Sequence, residues 1–163
     1  MSSVTDIEKQ RARKAYEYVS NIWNEYINIK KEIEEKQIDC KDKNLSKEHK
    51  ELCKKKNDKY KIADDYKSYV KKIPMMILNN GLGATFAFIY SKKKEGNAYE
   101  LIYVQITKWL KADKDLVEWI INQDSQEYRA TTNEVLALFN WLKRFADGMI
   151  EDKKDGKEKK EEK

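Results

Sequence analysis

One proline and five glycines in 163 residues leave this chain almost no means of making frequent tight turns. Strand-rich folds need such punctuation, so the scarcity points to helices joined by few connections. Abundant Lys, Glu, Leu, Ile and Ala, all good helix formers apart from Ile, agree with that. Hydrophobic residues make up 40% and charged residues 39%. A chain of this length and composition can bury one core beneath an unusually charged surface. The expected fold is all-α: a single compact helical bundle with two long helices and several shorter ones.

The first long helix is predicted from about Thr5 to Lys36. Ala15, Val19, Ile22, Tyr26, Ile29 and Ile33 step by four and three, making one apolar stripe. Thr5 or Asp6 is expected to cap it, with Glu8 completing a capping box after Thr5. Residues 37–57 read as a lysine-rich peripheral insertion in which Ser46 caps a short helix through Lys56. Over 30–61 the chain holds twelve lysines against eight acids. A further helix from Asp58, capped there or at Asn57, presents Ala63, Tyr66, Val70 and Ile73. Pro74 is expected to end it and start another, which stops at Asn79-Asn80-Gly81.

Leu82 to Lys92 reads as a buried helix. Tyr99, Ile102, Tyr103, Ile106 and Leu110 mark the next, and Asp113 or Asp115 caps a short one carrying Leu116, Val117, Ile120 and Ile121. Ser125 is expected to cap a last long helix with Val135, Phe139, Leu142 and Ala146 on its inner side. Residues 1–151 thus form the helical domain. Residues 152–163 form a charged tail too poor in apolar side chains to order itself.

Few catalytic designs survive. His49 is the lone histidine and lies in the lysine-rich segment, which removes Ser-His-Asp and Cys-His arrangements. Gly81-Leu82-Gly83 lacks the third glycine of a dinucleotide fingerprint, since Phe86 stands there, and no Gly-Lys-Ser/Thr occurs. Asp64-Asp65 and Glu34-Glu35 lie among lysines, as on solvated helix faces. Cys40 and Cys53 with His49 fall short of a zinc set, so no metal and no cofactor are expected. The two thiols read as reduced cysteines, with a disulfide stapling two helices as the alternative. The opening MSSVTDIEKQ lacks a signal-peptide layout, so a cytoplasmic protein is expected.

What remains is basic residues on helices. Lys9 and Arg13 are four apart and share a face, with Arg11 and Lys14 flanking. In the last helix Arg129, Asn133, Asn140 and Arg144 fall within about a third of the circumference, with Lys143 at the border. Such a ridge can donate to phosphate oxygens, or simply be solvated beside Glu134. Trp141, off the main stripe, is placed to stack on a base or to anchor a protein partner. Lys67, Lys71 and Lys72 make a second cluster with Tyr66 and Tyr69 interleaved. The net charge of +5 permits a phosphate-bearing partner without requiring one.

Four segments resemble the small subunit of the Cmr-type (type III-B) CRISPR effector complex: EKQRARKAYEYV at 8–19, DYKSYVKKIPMMILNNGLGATFAFI at 65–89, AYELIYVQITKWL at 98–110 and DSQEYRATTNEVLALFNWLKRFADG at 124–148. The lysine-rich insertion is longer than that family leads one to expect. The resemblance implies an all-α subunit without nuclease activity, present in several copies and stacked as a filament beside the guide-bearing backbone subunits. Its expected partners are those backbone subunits, the large subunit, further copies of itself, and the target RNA or guide–target duplex. Rigid helices bearing Lys9, Arg13, Lys67, Lys71, Arg129, Lys143 and Arg144 suit contact with an RNA backbone. A purely protein-binding scaffold using Trp141 is the alternative.

Overall fold

The computed structural model describes residues 3–153 and is helical throughout, with no strand among them. Six helices follow in order: α1 (Val4–Glu35), α2 (Lys47–Asn80), α3 (Leu82–Lys92), α4 (Ala98–Leu110), α5 (Leu116–Ile121) and α6 (Ser125–Met149). Three of them, not two, are long. The expected tail lies, from residue 154, outside the described residues, while Asp152 itself is tied to Lys67. No described helix is long and apolar enough to cross a membrane.

Helix α1 begins slightly earlier than expected. Ser3, not Thr5 or Asp6, is the cap: its hydroxyl accepts from the Asp6 N–H while the Asp6 carboxylate accepts from the Ser3 N–H. That reciprocal pair satisfies two end donors at once, which Thr5 inside the first turn cannot do. Gln37, in the left-handed region at φ 54°, turns the chain out, and the Ile38 N–H closes onto the Ile33 carbonyl.

The larger correction concerns α2. Ser46 caps it as expected, accepting from the His49 N–H, but the helix neither stops at Lys56 nor restarts at Asn57 or Asp58. It also runs on through Pro74 to the stop at Gly81, whose φ is 87°. A proline inside a helix costs about 3 kcal/mol. The stripe Ala63, Tyr66, Val70, Ile73 and Ile77 is buried along the same face on both sides of it. Burying each large apolar side chain contributes about 1.5–3 kcal/mol, so continuing the stripe outweighs the local defect.

Helix α3 has the expected bounds. Asp115 caps α5 and Asp124, rather than Ser125, caps α6 by accepting from the Glu127 N–H. Helices α1 and α6 run parallel, since Arg11 meets Glu134 and, further along both, Tyr16 meets Phe145. Helix α2 lies antiparallel to both, pairing Lys59 with Glu25 and Lys71 with Asp147. Tyr66, Phe86, Leu138 and Phe139 lie at the centre of the core, with α3, α4 and α5 packed over it. At one end α1 and α2 continue beyond α6 as a hairpin with its own small cluster of Ile29, Ile33 and Cys53. There Cys40 and Cys53 form a disulfide, correcting the reduced reading. The hairpin brings the two sulfurs together, which a sequence separation of 13 does not reveal.

Candidate nucleic-acid interface

Which basic side chains are free is decided by a polar lock at the seam of α1, α4 and α6. Arg11 spans α1 to α6: its Nε donates to Glu134 Oε1 at 2.9 Å and its Nη2 to Glu134 Oε2. The Trp109 indole N–H of α4 donates to the same Oε1 at 2.9 Å. Arg11 Nη1 donates to Glu8, whose other oxygen accepts the Trp141 indole N–H at 3.1 Å. Two carboxylates, two indoles and one guanidinium thereby join three helices. Hydrogen bonding to Arg11, and then to Trp109, holds the Glu134 carboxyl below the ordinary carboxylate range against the opposing effect of burial.

The lock turns Arg11 inward and leaves its neighbours outside. Lys9 and Arg13 are exposed and make no ion pair among the described residues. Lys14 reaches Glu17 at 3.4 Å and lies 5.3 Å over the Tyr18 ring. On α6, Arg129, Asn133, Asn140 and Arg144 are all exposed along one outward ridge, with Lys143 half-buried at its edge. The Arg144 guanidinium lies 6.0 Å over the Trp141 ring, which stacks on Phe145 at 5.9 Å. Trp141 is therefore partly buried, its N–H engaged and one face covered.

The second predicted cluster comes apart. Lys67 is only 9% exposed, and its ammonium donates to the Ile150 carbonyl and to Asp152, both at 2.9 Å. It pins the end of α6 to α2 and is not displayed, contrary to its expected place in a basic cluster. Lys71 is exposed but pairs with Asp147 at 2.6 Å. His49 lies half-buried in the first turn of α2, away from the lock. No group of three or more His, Cys, Asp or Glu among the described residues could hold a metal ion.

Two further cations, on a helix marked in the sequence by its apolar stripe, join Arg13. Lys108 and Lys111 at the end of α4 share a groove of about 720 Å³ with Ile7, Gln10, Arg13 and Lys14 of α1. In TKWLK the two lysines stand three apart, on one side of a helix. That spacing could not show that α4 ends beside α1.

A model of the family described as CRISPR-associated protein (Cas_Cmr5) matches residues 42–149. That span is more than half of the chain. The chain belongs to the Cmr5 family. A curated relative, the CRISPR system Cmr subunit Cmr5 of Thermus thermophilus, is 30% identical over 90 residues, covering 54% of this chain and 77% of the relative. The crystal structure of a CRISPR-associated Cmr5 family protein from the same organism is similar in fold, with a TM-score of 0.58 and 23% identity over 93% of this chain and 100% of that one. The Cmr5 family match takes in α2 to α6, so the α6 ridge lies inside it and the α1 side of the interface outside.

Proposed function

We propose that this chain is a non-catalytic small subunit of a cytoplasmic, RNA-guided CRISPR effector complex, stacked as a filament beside the guide-bearing backbone and touching target RNA. Support for the complex comes from the family, whose Thermus relative is named as a Cmr subunit. Support for RNA contact comes from one observation. The internal cations Arg11 and Lys67 are consumed by the fold, while Lys9, Arg13, Arg129, Lys143 and Arg144 have no acidic partner among the described residues. Cations held on stiff helices neutralise phosphates at little entropic cost and release bound counterions. Such contacts fix position and read no sequence, which suits a complex whose specificity comes from pairing with a guide.

The test is Arg129→Glu combined with Arg144→Glu in the assembled complex. Target-RNA affinity should fall at least about tenfold and its salt dependence should flatten, while subunit incorporation is retained. Unchanged affinity removes the α6 ridge from the account.

A scaffold that binds only protein has its own support. Residues 73–91 hold no charged side chain, yet Met75 and Leu78 are 59% and 68% exposed. Such apolar exposure suits docking on a neighbouring subunit and is compatible with RNA contact elsewhere on the molecule.

A further inference from the structure

Beside the outward ridge, the molecule has a trough along α1 that no local spacing in the sequence foretells. The groove holding Arg13, Lys14, Lys108 and Lys111 adjoins a second, of about 280 Å³, and the two share Lys14, Glu17 and Lys108. The wider groove follows α1 from Ile7 to Glu17, which at the rise of an α-helix is about 15 Å, room for two or three nucleotides. The narrower continues it to Glu25, which is paired with Lys59 at 2.7 Å. The opposite wall is α4, running the other way from Lys111 to Leu101.

Charge in the wider groove is one-sided. Of its two acids, Glu134 already accepts from Arg11 through both oxygens and from Trp109 through one. Glu17 faces only Lys14, at 3.4 Å. Arg13, Lys108 and Lys111 have no acidic partner among the described residues. Between the cations the wall is apolar, formed by Ile7, Trp109 and Leu110, and further along by Val104. A file of cations beside an apolar wall matches a chain that alternates anionic phosphates with sugar and base surfaces.

Lys111 adds a second observation. It sits at the α4 C-terminus with φ 53° and ψ 40°, the left-handed conformation usually filled by glycine. Its N–H bonds back to the Lys108 carbonyl, and the next N–H, of Ala112, to Thr107. The cap geometry thus places the Lys111 backbone at the mouth of the trough, in a conformation that favours glycine over lysine.

We propose that the trough between α1 and α4 is a binding site for a single-stranded RNA sugar-phosphate chain, with Lys108 and Lys111 as contacts additional to the α6 ridge. The inference rests on the RNA-contact reading above but concerns a different surface. An acidic protein segment is the competing occupant, and a merely structural role for the two lysines is to offset the partial negative charge at the end of α4.

Fluorescence anisotropy of the full chain with a labelled single-stranded RNA of about 12 nucleotides decides among these. Lys108→Glu with Lys111→Glu should weaken binding at least about tenfold and reduce the log–log salt slope by roughly 0.7 for each cation removed. Circular dichroism should stay unchanged. If the reversals unfold the chain, the Lys→Gln pair replaces them, with the same slope change expected. Wild-type affinity in the variant, or a change in thermal stability alone, overturns the proposal. So does displacement of the RNA by poly-glutamate at the same charge concentration as effectively as by unlabelled RNA. Run in parallel, Arg129→Glu with Arg144→Glu keeps the two readings apart. Loss there with none at Lys108 and Lys111 sinks the trough and leaves the ridge standing. Failure of the isolated wild-type chain to bind the RNA also sinks the trough, while the ridge is then judged in the assembled complex.

Discussion

The two ends of α1 and α2 solve the same burial problem by different means. In the bundle, α6 lies against both helices and α3 to α5 close over them, so Val19, Tyr66, Val70 and Phe139 are wholly buried. In the hairpin beyond, the same pair has no third helix. Among the described residues, the partly buried hydrophobic side chains packed on Ile29, Ile33 and Cys53 are Ile38, Cys40, Leu45 and Leu52. Two helices cannot enclose a stripe by packing alone, and a covalent Cys40–Cys53 link stands where a third layer would otherwise be. Where packing is three-layered, stability is a matter of shape. Where it is two-layered, it depends on a crosslink.

That contrast can be broken at either end. The largest effect should come from the bundle: Phe139→Ala removes a fully buried ring and should lower unfolding free energy by about 3–5 kcal/mol in denaturant titration. Next, Cys40→Ser with Cys53→Ser should cost up to about 3 kcal/mol, the loop-closure value for a 13-residue separation. Hydrogen exchange should show the loss confined to residues 29–53, with core amides unmoved. Equal loosening of both ends would mean that the hairpin and bundle are one cooperative unit.

Glu134→Gln should cost about 1–3 kcal/mol, because Arg11 and Trp109 lose a charged acceptor. The wild-type pairing also sets a pH dependence. The folded-state Glu134 carboxyl titrates below its unfolded value, so its stabilisation is complete above the ordinary carboxylate range and is lost as pH falls through the depressed value. Wild-type stability should therefore fall more steeply than that of Glu134→Gln below about pH 4.5. The effect of opposite sign is Pro74→Ala, which should stabilise by about 2 kcal/mol: of the roughly 3 kcal/mol that an interior proline costs, up to about 1 is offset by the greater freedom alanine gives the unfolded chain. A loss of stability would show that the helix depends on the proline.

The same comparison marks what could be read from the sequence. Stripes such as Ala15–Val19–Ile22 and Ile102–Ile106, the Gly81 stop and the uncharged run of α3 are local patterns, and they yielded the helices and most of the core. Pro74 and Asn57-Asp58 are local signals too, but the burial of Tyr66, Val70, Ile73 and Ile77 overrode them. The interface was half visible. Spacing placed Lys9 with Arg13 and aligned Arg129 with Arg144. It could not tell that Glu134, 123 positions away, would draw Arg11 inward. Nor could it tell that Ile150 and Asp152 would draw Lys67 inward, or that α4 would deliver Lys108 beside Arg13.

Photocrosslinking of a target RNA carrying reactive bases to the assembled complex, with the attached peptides mapped, tests RNA contact by these helices most directly. Crosslinks should fall on the outer faces of α1 and α6, around residues 9–13 and 129–144. A complex that captures its target while this subunit carries no crosslink would contradict the account and leave a protein-binding scaffold in its place.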